Sequence, residues 1–167
     1  MRGASEELAA WAVEEMRQFV RARSLEQLER RIALAAGSPG IAVSLDLEAY
    51  DKRRAAMLLL LKVAAGATPF GAWIPVSESI GRSKSDKIDF YLKVLYELLR
   101  DLMLLHQGAG EIRNLDISRE LESLAATIQF AWIRKAVGLV DEIVELVRRN
   151  IQRTIALDAL IVQLRTT

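Results

Sequence analysis

Between Ser83 or Ser85 and Gln107 the chain runs without a glycine or proline, while Ile88, Leu92, Leu95, Leu98, Leu99, Leu102 and Leu105 recur at steps of three and four. That spacing predicts one long helix. Gly108 behind it supplies a C-terminal stop, since glycine alone takes the left-handed conformation without a Cβ penalty. Asp89, Lys93, Glu97, Arg100 and Asp101 share one narrow stripe expected to face solvent, which leaves apolar residues over more than half of the circumference. A helix of this kind cannot rest on one neighbour. It must be surrounded, and the chain is thereby committed to a multi-helix core.

The rest of the chain agrees with an all-α helical bundle. No segment alternates apolar and polar residues over a strand's length between turn dipeptides. Ser5 is expected to cap a first helix with Glu6 and Glu7 in its first turn. Ser24, with Gln27 three positions on, forms a capping-box pattern that predicts a second helix ending at Gly37. Ser38-Pro39 predicts a short third helix over about residues 39–45. Asp46 is the expected N-cap of a helix from Leu47 to Ala65, charged in its first half and apolar from Met57 to Leu61. Thr68-Pro69 and Pro75 make the next stretch irregular, with a short helix ending near Gly81. Asp116 is expected to cap a helix that either continues or breaks around Ala126 to Gln129. A further helix runs from Phe130 to Arg149, ended by Asn150, and a last docked one from Arg153 to Leu164.

Several classes of function are excluded by what the chain lacks. Without cysteine there is no disulfide, thiolate nucleophile or Cys-type zinc site, and one histidine cannot build a His-based metal cage. Neither a Gly-x-x-x-x-Gly-Lys-Ser/Thr loop nor a Gly-x-Gly-x-x-Gly fingerprint occurs, so no phosphate cradle is encoded. A formal net charge of +1 gives no chain-wide reason to bind a polyanion; such contact would need a local basic patch. The longest uncharged stretch, Val63 to Ser79, is interrupted by Gly66, Pro69, Gly71 and Pro75 and does not read as a membrane span. Glu6, Glu7, Glu14 and Glu15 occupy the region where a signal peptide would be apolar. A cytoplasmic protein is expected.

Residues with chemical potential have plainer readings. His106 lies in the last turn of the long helix, where a cation suits the dipole, and no Ser, Asp or Glu stands at a catalytic spacing. Asp86, Asp89, Glu97 and Asp101 could be imagined as metal ligands, but Lys87, Lys93 and Arg100 beside them make a solvated helix face the better reading. Lys52-Arg53-Arg54 and Arg82-x-Lys84 are short basic clusters diluted by acids, read the same way. Surplus apolar residues say more. Met103 and Leu104 lie beyond the charged stripe, and Phe70, Trp73 and Ile74 sit in the Pro- and Gly-rich segment, which makes an intersubunit surface plausible. Asp46 divides the chain into residues 1–45, too few to bury a good core alone, and residues 46–167. The first part is expected to lean on the second or on a preceding segment.

Two segments carry a family resemblance. Leu98-Leu99-Arg100-Asp101-Leu102-Met103-Leu104-Leu105, followed by a glycine loop and Asn114-x-Asp116, and then Arg149-Asn150 with Ile155-Ala156-Leu157-x-Ala159-Leu160, resemble the C-terminal domain of the delta prime subunits of bacterial DNA polymerase III clamp loaders. The resemblance covers residues 46–167. Upstream, Ala35-Ala36-Gly37-Ser38-Pro39-Gly40 resembles the helical lid of the AAA+ module in that family, but Ile41 stands where an arginine nucleotide sensor usually follows.

The resemblance implies a non-catalytic collar domain in DNA replication. Such a domain packs with the gamma/tau and delta subunits into a ring of five that loads the sliding clamp, with primer-template DNA an indirect partner and no membrane, cofactor or metal. The polymerase holoenzyme and its clamp-loader ATPase would belong to the parent complex. The lobe with the P-loop-like core lies outside this chain, so a truncated chain is expected. Arg100, Asp101, Leu104, Asn114, Asp116 and Asn150 are the motif or interface positions, with Asn114 and Asn150 expected at helix boundaries satisfying backbone groups and Arg100 with Asp101 as surface or interhelix contacts. The competing reading is a small-ligand-binding regulatory domain with Met57, Phe70 and Trp73 lining a pocket. An enzyme built on His106 is the weakest.

Overall fold

The computed structural model describes residues 3–149 and 151–166, whose regular structure is entirely helical, with no strand among them. The chain divides into two compact units, Met1–Leu45 and Asp46–Thr167. No helix among the described residues is long and apolar enough to cross a membrane.

The first unit holds α1 (Gly3–Ala35) and α2 (Pro39–Ser44). Two helices meeting at Ser24 are the sequence expectation; one continuous helix is what forms. The reason is local. A capping box stabilises an end only where the chain leaves the helix, and Val20-Arg21-Ala22-Arg23 contains no breaker and good helix formers. The true stop is Ala36 and Gly37, both in the left-handed region at φ 48° and 83°. Arg31 then reaches from α1 across the turn, donating from Nη1 to the carbonyls of Ala42 (3.2 Å) and Leu45 (2.6 Å), which gives the C-terminal carbonyls of α2 a cationic partner.

The second unit opens where Asp46 accepts the Ala49 N–H at 3.1 Å and caps α3 (Leu47–Ala64). A 3-10 turn, Phe70–Ala72, leads into α4 (Ile74–Arg82), which Pro75 starts rather than kinks. Then come α5 (Ile88–Gln107), a 3-10 turn at Leu115–Ile117, α6 (Ser118–Thr127), α7 (Phe130–Arg148) and α8 (Arg153–Arg165). Helix α5 packs on α3, α6 and α7, as its broad apolar surface requires, and α8 packs on α3, α4 and α7. Met57, Leu60, Leu61, Leu95, Leu98, Leu102, Val140 and Leu157 form the fully buried centre.

Helix α5 starts later than Ser83 or Ser85. The loop before it is tied down in another conformation: Ser83 Oγ accepts the Asp86 N–H at 3.2 Å, and Arg153 Nη1 donates to the carbonyls of Ser83 (3.0 Å) and Asp86 (2.6 Å). At its far end Gly108 adopts φ 60° and stops the helix. The break between α6 and α7 forms at Ile128, extended and buried, whose carbonyl accepts from His106 Nε2 at 2.7 Å. Helices α4 and α8 approach so closely that a Cβ on Gly81 would lie 2.8 Å from the Thr154 methyl.

Candidate functional site

Four of the six residues singled out in the resemblance, Arg100, Asp101, Asn114 and Asp116, converge on one polar cluster inside the second unit. The inner face of α5 carries Asp101 into the core, where it is fully buried. This corrects its placement on a solvent-facing stripe. Five hydrogen bonds surround its carboxylate: Arg113 N–H to Oδ1 (3.0 Å) and Oδ2 (3.2 Å), Asn114 N–H to Oδ2 (2.9 Å), Asn114 Nδ2 to Oδ2 (2.9 Å) and Arg100 Nη1 to Oδ1 (3.0 Å). A buried carboxylate is tolerated only with such pairing. Burial therefore wins over the charge of the side chain because backbone N–H groups of the α5–α6 connection stand in for water.

Asn114 is the hinge of the cluster. Its side chain makes no helix cap, contrary to expectation. Instead Nδ2 donates to Asp101 while Oδ1 accepts from Tyr50 Oη at 2.9 Å and Arg54 Nη1 at 3.1 Å. Arg54 forms a two-pronged pair with Asp116, Nη1 to Oδ1 at 2.7 Å and Nη2 to Oδ2 at 2.6 Å, and also reaches Asp51 at 3.0 Å. Asp116 thus serves as the arginine's counter-ion and not as the cap of α6. Arg113 extends the cluster to Glu97 at 2.5 Å. Burial pushes the Tyr50 phenol up to about 12, with the Arg54 charge and the Asn114 hydrogen bond opposing. The carboxylate of Asp101 is taken up by donors that fasten the α5–α6 connection to α5, and Asn114 carries that fastening on to α3.

Tyr50, Arg54 and Arg113 were not singled out for this site by the sequence. One signal was legible: Tyr50 and Arg54 stand four apart on α3 and share a face. Leu104 is half-buried and lies against Gly110, where a Cβ would sit 3.1 Å from the leucine side chain. Leu115, between Asn114 and Asp116, stays 58% exposed. Asn150 lies outside the described residues.

Other candidates scatter. Asp86 is held by Arg53 at 2.7 Å and by Tyr91 Oη at 3.2 Å, and the arginine hydrogen bond keeps its carboxyl below the usual carboxylate range. Glu97 is paired with Arg113, and Asp89 faces solvent. No group of three or more His, Asp or Glu able to hold a metal occurs among the described residues. His106 packs edge-on to Phe130 with ring centroids 6.4 Å apart, and its Nε2 must carry the proton because the Ile128 carbonyl only accepts. Trp73 is no surface anchor: it is fully buried and donates from Nε1 to Asp158 at 2.6 Å, beside Ser77 Oγ at 3.0 Å. Met57 is likewise core, and Phe70 is half-buried.

An open groove lies between α3 and α6. The Lys62–Glu120 ion pair, at 2.5 Å, borders a cleft of about 250 Å³ toward Leu58 and Ile117 and another of about 400 Å³ toward Thr68 and Ser123. No protein-family model matches the chain, and no curated protein or solved structure matches it.

Proposed function

We propose that residues 46–167 are a non-catalytic assembly domain, similar to the collar of a clamp-loader delta prime subunit, packing with gamma/tau and delta subunits in the loader that places the sliding clamp during DNA replication. The reading rests on the order and spacing of the two motif segments. One structural observation supports it: Arg100 and Asp101 from the first motif half are tied to Asn114 of the second half, and through Arg54 to Asp116, in one polar cluster around the buried Asp101 and Asn114. A cluster of this kind holds the intervening loop rigid and presents Leu115 outward as a preorganised apolar anchor.

Co-elution with the loader's gamma/tau and delta subunits tests the reading. The expected result is a complex with the wild-type chain that Leu115→Asp weakens at least tenfold while helicity by circular dichroism is unchanged. Failure of the wild-type chain to join the complex overturns it. The second reading, a small-ligand-binding regulatory domain, draws on the groove between α3 and α6; a rise in melting temperature with a small apolar ligand, lost in Leu58→Asp, would favour it.

A further inference from the structure

Helix α1 carries a seam that its own unit leaves open. Trp11, Gln18, Leu25 and Ile32 stand seven residues apart, and Glu14, Arg21 and Leu28 follow the first three of them by three. That is the a and d pattern of a coiled coil, so the seven positions share one stripe of the helix, and all seven residues are exposed. The unit's other helix, α2, is only six residues long, and Ala35 is the only buried residue of the unit among those described. Charge is spread unevenly along α1. Residues 5–18 hold four Glu and one Arg, whereas residues 19–35 hold four Arg and two Glu. Two such helices laid parallel would set like halves together; laid antiparallel, each acidic half faces a basic half and the helix dipoles oppose.

We propose that α1 pairs antiparallel with α1 of a second copy of this chain, about a two-fold axis passing between positions 19 and 20. In that register Trp11 meets Leu28 of the second copy and Gln18 meets its Arg21, while Glu14 packs beside Leu25 and lies one layer, about 5 Å, from Arg21. The two-fold makes each of these contacts twice. Since the middle of Gly3–Ala35 falls at the same place, the two helices overlap along almost their whole length of about 50 Å. The polar layers at Glu14, Gln18 and Arg21 fix the register and weaken the pairing, so a dissociation constant above about 10 µM is expected and dilute chain is monomeric. A membrane surface is the poorer fit, because an interfacial helix needs a basic polar face, and α1 has no lysine, six Glu against five Arg, and Glu14 within the stripe. The pairing belongs to the first unit and does not depend on the assembly reading of residues 46–167.

Sedimentation equilibrium of the full chain over about 1–300 µM tests it, with the mass expected to rise from one chain to two. Leu25→Asp with Leu28→Asp should raise the dissociation constant at least about tenfold while the circular dichroism of the dilute chain is unchanged. Glu14→Arg should weaken the dimer, and Glu14→Arg with Arg21→Glu should restore it to within about twofold, because the exchange keeps opposite charges facing across the seam. Orientation is read by cross-linking, since the chain has no cysteine of its own. Under oxidised glutathione, Trp11→Cys chain mixed with Leu28→Cys chain should form a mixed disulfide, and Leu28→Cys chain alone should not link to itself. A monomer throughout the concentration range, an unchanged dimer in the double aspartate variant, no recovery on charge exchange, or Leu28→Cys linking to itself as readily as to Trp11→Cys each overturns the proposal.

Discussion

The two units show how differently helices can be held. In Met1–Leu45, α1 is long, but Ala35 is the only residue among those described that is buried, and Trp11, Leu25, Leu28, Ile32 and Val43 are more than half exposed. Its order comes from helix propensity and from the turn at Gly37, braced by Arg31. In Asp46–Thr167 no helix stands by itself: α5 alone contributes nine buried residues, and its one buried charge is paired on every side. Propensity decides that a helix exists. Burial decides whether it stays put, because each apolar side chain removed from water contributes about 1.5–3 kcal/mol.

The sharpest break in that comparison is Asp101→Ala. It strands the donors of Arg113, Asn114 and Arg100 inside the second unit and should cost about 3–5 kcal/mol in urea denaturation, against well under 1 kcal/mol for surface carboxylates. Leu60→Ala follows, with about 2–5 kcal/mol for a fully buried side chain. Trp73→Phe removes one donor to Asp158 and leaves the space of the second indole ring empty in a fully buried site, so about 1–3 kcal/mol is expected. Leu28→Gln, at a position 52% exposed in α1, should stay within about 0.5 kcal/mol; a loss above 2 kcal/mol would mean that the first unit conceals a core.

Acid and alkali probe the second unit from opposite sides. Asp86 is held below its ordinary carboxylate range by Arg53, so its contribution is present above that range and is lost as pH falls through the folded value; Asp86→Asn should flatten the acid limb of a stability profile. Tyr50, raised to about 12, keeps its proton in the fold while the unfolded chain releases it near 10. Stability therefore declines between about pH 10 and 12, and Tyr50→Phe should remove that part of the decline.

Legibility followed locality. The Asp46 cap, the Gly108 stop and the buried run from Met57 to Leu61 were readable because each depends on residues within one turn or on helical period. The capping pattern at Ser24 does not break α1, because such a pattern says where a helix can start and not that the preceding one must stop. The polar cluster was half-readable. Its residues could be named as positions of a resemblance, but the role of Asn114 depends on Tyr50, sixty-four positions earlier, and no local pattern encodes that pairing. The charge of Asp101 pointed outward in any periodicity argument; only the backbone donors of Arg113 and Asn114 reverse it.

Trp73 gives the second unit an optical gauge of its own. The indole is sealed between α4 and α8 with its N–H on a carboxylate, whereas Trp11 is open to water and Trp132 is half-covered. With Trp11 and Trp132 replaced by phenylalanine, the remaining emission should be blue-shifted and insensitive to quenching by iodide. Its reddening would time the moment when α4 comes away from α8, a clock that runs whatever the chain is found to bind.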